Sequence, residues 1–376
     1  FASTHPPGRP PLWGGKLMES AVHTLLANIW FALVGLILAL YVILDGFDLG
    51  VGILSLVAGD EERRGIMMTS LGSVWDANET WLVLLGGALF GAFPAVYAVL
   101  LHALYLPILI MIGGLILRGV AFEFREHAHR KLPWNLAFGI GSVLAAACQG
   151  CALGTLIQGI PVTDGRFAGS VWDWVKPFPL LVAAGVMCGY TLLGATYLII
   201  RTEGRDQHRS RRWAKWSAWL MMAAMLAVTL WTPLLGSHVA RRWFTAPLSL
   251  ALLPAVAGLA FAMLQRALQR HYEHAPFFWS VAIFVASFTG LAISFYPFLI
   301  PPELIVWEAA SSGQTLVFML TGIGMLLPVM LIYNAYQYLV FRGKIKIGGY
   351  SADTFTPPPG AGSGGDLAAQ ESRPRS

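Results

Sequence analysis

Residues 80–117 read TWLVLLGGALFGAFPAVYAVLLHALYLPILIMIGGLIL, a run without a single Asp, Glu, Lys or Arg. At about 1.5 Å of rise per residue, one helix of this length would be close to twice the thickness of a bilayer's hydrocarbon core. Phe93-Pro94 and Pro107 lie inside the run, and proline breaks or kinks a helix. The run therefore reads as two spans joined by an outer turn near His102. Seven more uncharged runs, Ser20–Leu44, Leu132–Thr163, Pro177–Ile200, Trp216–Ala240, Trp243–Gln265, Ala275–Pro302 and Ala309–Phe341, each reach the length of about 20 residues that a bilayer span needs. The count is nine spans, an all-α polytopic membrane protein. Composition agrees: 56% of the 376 residues are hydrophobic and 12% charged, against about 25% charged in soluble domains.

The excess of 25 Lys and Arg over 20 Asp and Glu reads as topology rather than as nucleic-acid binding. With nine spans the connections alternate sides, and 17 basic residues collect on one side against 6 on the other. Positive charge marks the cytoplasmic face, so the N-terminus is expected in the periplasm and the C-terminus in the cytoplasm. Residues 1–19 read as an N-terminal tail, of which 1–17 resemble a scar or an extended start before Met18. Residues 20–346 form the transmembrane domain. The Pro, Gly, Ser and Ala of 347–376 cannot bury a core and are expected to be a disordered cytoplasmic tail.

All three cysteines fall inside spans. Cys148-Gln149-Gly150-Cys151 has metal-pair spacing but no second pair or nearby His, so small-residue helix packing is the plainer reading. Haem in a helical bundle needs inward-facing axial ligands, and of nine histidines only His23, His102 and His238 lie in uncharged runs, each toward the outer side. No phosphate-binding glycine motif, HExxH or nucleophile elbow occurs. No catalytic or metal-binding centre is expected in this chain alone.

Ionisable residues at membrane depth cost about 2.5–3.5 kcal/mol on insertion scales and therefore carry information. Asp45 and Asp48, in Leu44-Asp45-Gly46-Phe47-Asp48-Leu49-Gly50-Val51-Gly52, are three apart and share a helix face. Either the first helix ends there, or it continues to Val57 with both acids inside. Asp76 and Glu79, in Trp75-Asp76-Ala77-Asn78-Glu79-Thr80-Trp81, read as an N-cap and its capping-box partner or as functional acids. Both pairs flank the Gly59–Leu71 connection on the cytoplasmic half and form a candidate proton entry path. Arg118 either snorkels or pairs with these acids, with Glu123 about one and a half turns away. Trp307-Glu308 is expected to open the ninth span.

The two acidic motifs together resemble subunit II of cytochrome bd-type quinol oxidases, a family that includes the cyanide-insensitive oxidases. The likeness continues through Gly86-Gly87-Ala88-Leu89-Phe90, Arg118–Glu123, Gly194-Ala195-Thr196-Tyr197-Leu198, Tyr296-Pro297-Phe298, Trp307–Ser312 and Tyr333-Asn334-Ala335-Tyr336. It covers residues 20 to about 346. The resemblance implies two four-helix bundles plus one peripheral helix, in a bacterial inner membrane. It implies a partner, subunit I, that carries the quinol site, haem b and haem d (or a b-type substitute), and it admits a small accessory subunit. A structural quinone or lipid between the helices is also implied. Asp48 and Asp76 match motif positions on the family's proton route, with Asp45 beside them. Trp81 matches a tryptophan lining an oxygen passage. Many members carry an uncharged residue or His where Glu79 stands. The implied reaction oxidises two quinols on the outer side and reduces oxygen to water with cytoplasmic protons, electrogenic without pumping. Arg118, Glu123 and Glu308 are expected in structural charge pairing.

Two rival classes remain at this level. A proton-coupled secondary transporter would use the same intramembrane acids and the glycine-interrupted first helix, although no inverted repeat is visible. A structural subunit would use the acids only for assembly. Copurification with a haem-bearing partner separates the oxidase subunit from the transporter.

Overall fold

The computed structural model describes residues 12–235, 247–346 and 349–350. Residues 1–11, 347–348 and 351–376 of the two expected tails lie outside the described residues, as do the end of the sixth expected span and the start of the seventh. The first helix, α1 (Leu12–Leu56), does not end at the aspartates. It runs unbroken through Asp45 and Asp48, because the residues that follow, Leu49 to Leu56, are again apolar or small. A short amphipathic helix, α2 (Glu61–Leu71), crosses the connection; Asp60 caps it by accepting from the Arg63 amide at 2.8 Å.

Residues 80–117 divide as proline requires. Helix α3 (Trp75–Ala92) stops at Phe93, α4 (Pro94–Ala103) begins with Pro94 at its first position, and α5 (Tyr105–His127) follows Leu104. Then come α6 (Leu132–Gln158), α7 (Pro177–Arg201), α8 (Gly204–Trp231), α9 (Pro247–Gln269) and α10 (Ala275–Phe295). A one-turn helix, α11 (Val306–Ala309), precedes α12 (Gly313–Val340). Among the described residues, eight helices are long and apolar enough to cross a membrane. Helix α3 is not among them, since Asp76 and Glu79 dilute its hydropathy.

Helix α1 lies at the centre, packed on α3, α6 and α7, while α5 with α6, α7 with α8 and α9 with α10 pair as neighbours. Small residues set the closest crossings. A Cβ on Gly50 of α1 would collide with the Tyr190 carbonyl of α7, and one on Gly194 would stand 2.5 Å from the Val51 nitrogen. The two backbones therefore meet without side chains between them.

The break at Phe93 leaves helix carbonyls without their usual partners, since Pro94 has no N–H. Ser311, distant in sequence, supplies them: its amide donates to the Ala92 carbonyl at 2.9 Å and its hydroxyl to the Gly91 carbonyl at 2.6 Å. Trp30 Nε1 likewise donates to the Leu316 carbonyl at 3.1 Å. The expectation that Trp307-Glu308 opens the last span is corrected. That span starts at Gly313, because the Ser312 hydroxyl is the capping acceptor, taking the Thr315 amide at 3.4 Å.

Candidate functional site: a buried charge cluster between six helices

The close α5–α6 crossing builds the site. A Cβ on Gly141 of α6 would clash with the Gly114 carbonyl of α5 and lie 3.3 Å from Arg118 Cβ. With no side chain there, the base of Arg118 passes over α6 and its guanidinium reaches α1. Arg118 Nη1 donates to Asp45 Oδ1 at 2.7 Å, and Nη2 lies 3.8 Å from Asp48 Oδ2. All three side chains are at most 1% exposed. A buried charge needs a partner of opposite sign and satisfied hydrogen bonds, and this cluster supplies part of both.

Asn78 on α3 completes the Asp48 side. Its Nδ2 donates to Asp48 Oδ2 at 2.9 Å and to the Leu44 carbonyl at 3.3 Å, while its Oδ1 accepts from the Tyr338 hydroxyl of α12 at 2.9 Å. On the Asp45 side, Tyr41 stands beside the carboxylate one turn earlier on α1. The Tyr41 hydroxyl accepts from Gln149 Nε2 of α6 at 2.6 Å, and Gln149 Oε1 accepts from the Tyr190 hydroxyl of α7 at 2.6 Å. Asp45 Oδ2, Asp48 Oδ1 and Arg118 Nη2 are buried and make no further hydrogen bond among the described residues.

The expected site residues divide into those this cluster holds and those it does not. Asp45, Asp48 and Arg118 come together in the interior. Glu79 is half-buried and lies within the field of Arg118, Asp45 and Asp76, while Asp76 itself is exposed in the first turn of α3. Asp76 is not the N-cap: Val74 occupies that position without a side-chain cap bond, so no capping box forms with Glu79. Trp81 is fully buried in the apolar cluster shared by α1, α3 and α4. The expected pairing of Glu123 and Glu308 is corrected. Both are exposed, and neither makes an ion pair among the described residues. Five residues at about 100° each turn Glu123 well away from the face that carries Arg118.

Asn78, Tyr338, Tyr41, Gln149 and Tyr190 were not singled out from sequence. Their signal was present: polar side chains inside apolar runs, which in lipid bond across helices. Gly150, between Cys148 and Cys151, packs so tightly on Ala183 that a Cβ would collide with its backbone. Among the described residues no group of three His, Cys, Asp or Glu is placed to hold a metal. The described histidines are exposed or half-buried, so they do not fit axial ligation of a haem within this chain.

Helices of bilayer length around a buried guanidinium–carboxylate cluster define a polytopic membrane protein that keeps ionisable groups at membrane depth. The chain belongs to the cytochrome bd terminal oxidase subunit II family, whose profile matches residues 26–341. It is 30% identical to the cytochrome bd-I ubiquinol oxidase subunit 2 of Escherichia coli (strain K12), over 86% of this chain and 96% of the relative. It is 28% identical to the cytochrome bd ubiquinol oxidase subunit 2 of Bacillus subtilis (strain 168), over 85% and 97%. The structure of bd oxidase from Geobacillus thermodenitrificans shares the fold, with a TM-score of 0.67 at 20% identity over 85% of this chain and 99% of that one. The resemblance carried by the acidic motifs is thereby borne out. The chain is a subunit of an oxidoreductase complex, and a transporter acting alone is set aside.

Proposed function

We propose that this chain works beside a haem-bearing subunit I in a bacterial inner-membrane quinol oxidase, guiding protons from the cytoplasm toward the oxygen-reducing centre. The observation that carries the proposal is the Arg118–Asp45–Asp48 cluster. Retaining three ionisable groups at no more than 1% exposure is costly in a membrane unless they are used. Exposure falls from Asp76 through Glu79 to Asp45 and Asp48, the order expected of an entry path. In this reading Asp76 takes the proton at the rim. Glu79 passes it inward, and Asp45 and Asp48 hold it beside Arg118, the positive charge that faces both carboxylates.

Counting α3 as a crossing gives nine spans, two four-helix bundles with one peripheral helix, a periplasmic N-terminus and a cytoplasmic C-terminus. Trp81, buried in apolar surroundings, lines an oxygen passage. Haem b and haem d, or a b-type substitute, belong to subunit I. The complex oxidises quinol, reduces oxygen to water and is electrogenic without pumping. A structural quinone or lipid between helices and a small accessory subunit complete the proposal.

The test is a pair of spectra, air-oxidised and dithionite-reduced, of the affinity-purified chain in mild detergent, followed by quinol-driven oxygen uptake. A reduced haem signal with a larger copurifying subunit and oxygen uptake is expected. A colourless, partner-free protein overturns the proposal.

A further inference from the structure

Three polar side chains at membrane depth have no place in the route just described. Tyr41, Gln149 and Tyr190 come from three different helices, α1, α6 and α7, and join end to end through two 2.6 Å hydrogen bonds. Tyr41 is 3% and Tyr190 1% exposed. The chain has a direction. Tyr190 donates to Gln149 Oε1, and Gln149 Nε2 donates to the Tyr41 oxygen, so the Tyr41 proton is left for an acceptor other than Gln149. The acidic neighbour beside that hydroxyl is Asp45, four residues on along the same face of α1. On its other side Asp45 takes Arg118 through Oδ1, and Oδ2 has no hydrogen bond of its own.

We propose that Tyr41, Gln149 and Tyr190 are positioning residues for Asp45: a polarised arm, anchored on α7, that aims the Tyr41 hydroxyl at the carboxylate and fixes its orientation against Arg118. Without the arm, Asp45 is held from the Arg118 side only, and its second oxygen is free to swing. With it, the Tyr41 hydroxyl is held one turn before the carboxylate on the same helix face, next to the group whose second oxygen has no hydrogen bond of its own. Asp48 has a counterpart arm, Tyr338 to Asn78 to Asp48, so each acid is braced by a tyrosine acting through, or beside, an amide. This inference rests on the proton-route reading above.

The test uses the complex copurified with its haem-bearing partner, comparing Tyr41→Phe, Tyr190→Phe and Asp45→Asn, with the double variant Tyr41→Phe/Asp45→Asn. Removing the hydroxyl that the arm holds beside Asp45 is expected to lower kcat for quinol-driven oxygen uptake about tenfold. The quinol KM and the haem content should stay unchanged, with a smaller loss for Tyr190→Phe. In the Asp45→Asn background, Tyr41→Phe should cost nothing further, the non-additivity of residues that act as one unit. A role confined to packing would instead give additive losses or a fall in haem content. Full turnover in Tyr41→Phe, additive losses, or failure of both tyrosine variants to assemble overturns the arm. If Tyr41→Phe alone fails to assemble, Tyr190→Phe decides, full turnover again overturning the arm. Absence of oxygen uptake in the unaltered complex overturns the proposed function instead, so the two failures are told apart.

Discussion

Arg118 faces two carboxylates with one positive charge, and the consequence of removing it is severe. Replacing it by Met would leave Asp45 and Asp48 buried without a counter-charge, and breaking a buried pair in this way costs about 3–5 kcal/mol. The expected outcome for Arg118→Met is loss of assembled complex, read as a fall in haem-to-protein ratio and in Tm, with Arg118→Lys intermediate because a point charge remains. Asp76 sits at the opposite extreme. Being exposed, it can be neutralised without strain, so Asp76→Asn should slow oxygen uptake several-fold while haem content stays intact. Normal oxygen uptake by that variant removes Asp76 from the route. Asp48, fully buried next to the close α1–α7 crossing, is expected to fail differently, with Asp48→Asn hindering assembly before turnover can be read.

At the level of helices, the α1–α7 crossing makes a sharper demand than any apolar side chain. A side chain at Gly194 meets backbone atoms of Gly50 and Val51, which cannot rotate away. Gly194→Val should therefore exceed the usual overpacking cost of about 1–3 kcal/mol and abolish accumulation of the complex in membranes. Gly87 on α3, with open space around it, is the matched control: Gly87→Val should leave complex yield unchanged. The helices themselves were legible because bilayer thickness forces long uncharged runs, and Phe93-Pro94 marked the break in residues 80–117. What sequence left hidden was cross-helix contact. Charged residues drew notice because their cost in lipid is large, whereas Asn78, Gln149 and the three tyrosines are uncharged and pass for ordinary span residues. Glu123 misled because nearness along the chain is not nearness around a helix.

Across the whole molecule, the residues after the last span are fastened to the end of α7 and to the connection between α9 and α10. Arg201 Nη1 donates to the Phe341 and Gly343 carbonyls at 2.6 and 2.7 Å, and Lys344 Nζ reaches Glu273 Oε1 at 2.8 Å. The bond from Lys344, then that from Gln207, holds the Glu273 carboxyl below its usual 4.5. A carboxylate held low lends stability that is complete above its unfolded value and is lost as pH falls through the folded one. Protection of the 341–346 amides, measured as exchange relative to the intrinsic rate at each pH, should thus be high at neutral pH and fall below about pH 4.5. Glu273→Gln should exchange faster at neutral pH and lack the acid step. The Ser311 contact with the carbonyls of Gly91 and Ala92 carries the same far-reaching closure to the opposite end of the bundle, and it sets a timetable. Unpaired carbonyls are poorly tolerated in lipid, yet the groups that satisfy them are not made until translation has passed residue 311 of 376. The break in the second hydrophobic segment therefore cannot close on these partners until Ser311 has been made. A nascent chain halted before that point holds its early helices in the membrane with one wound still open.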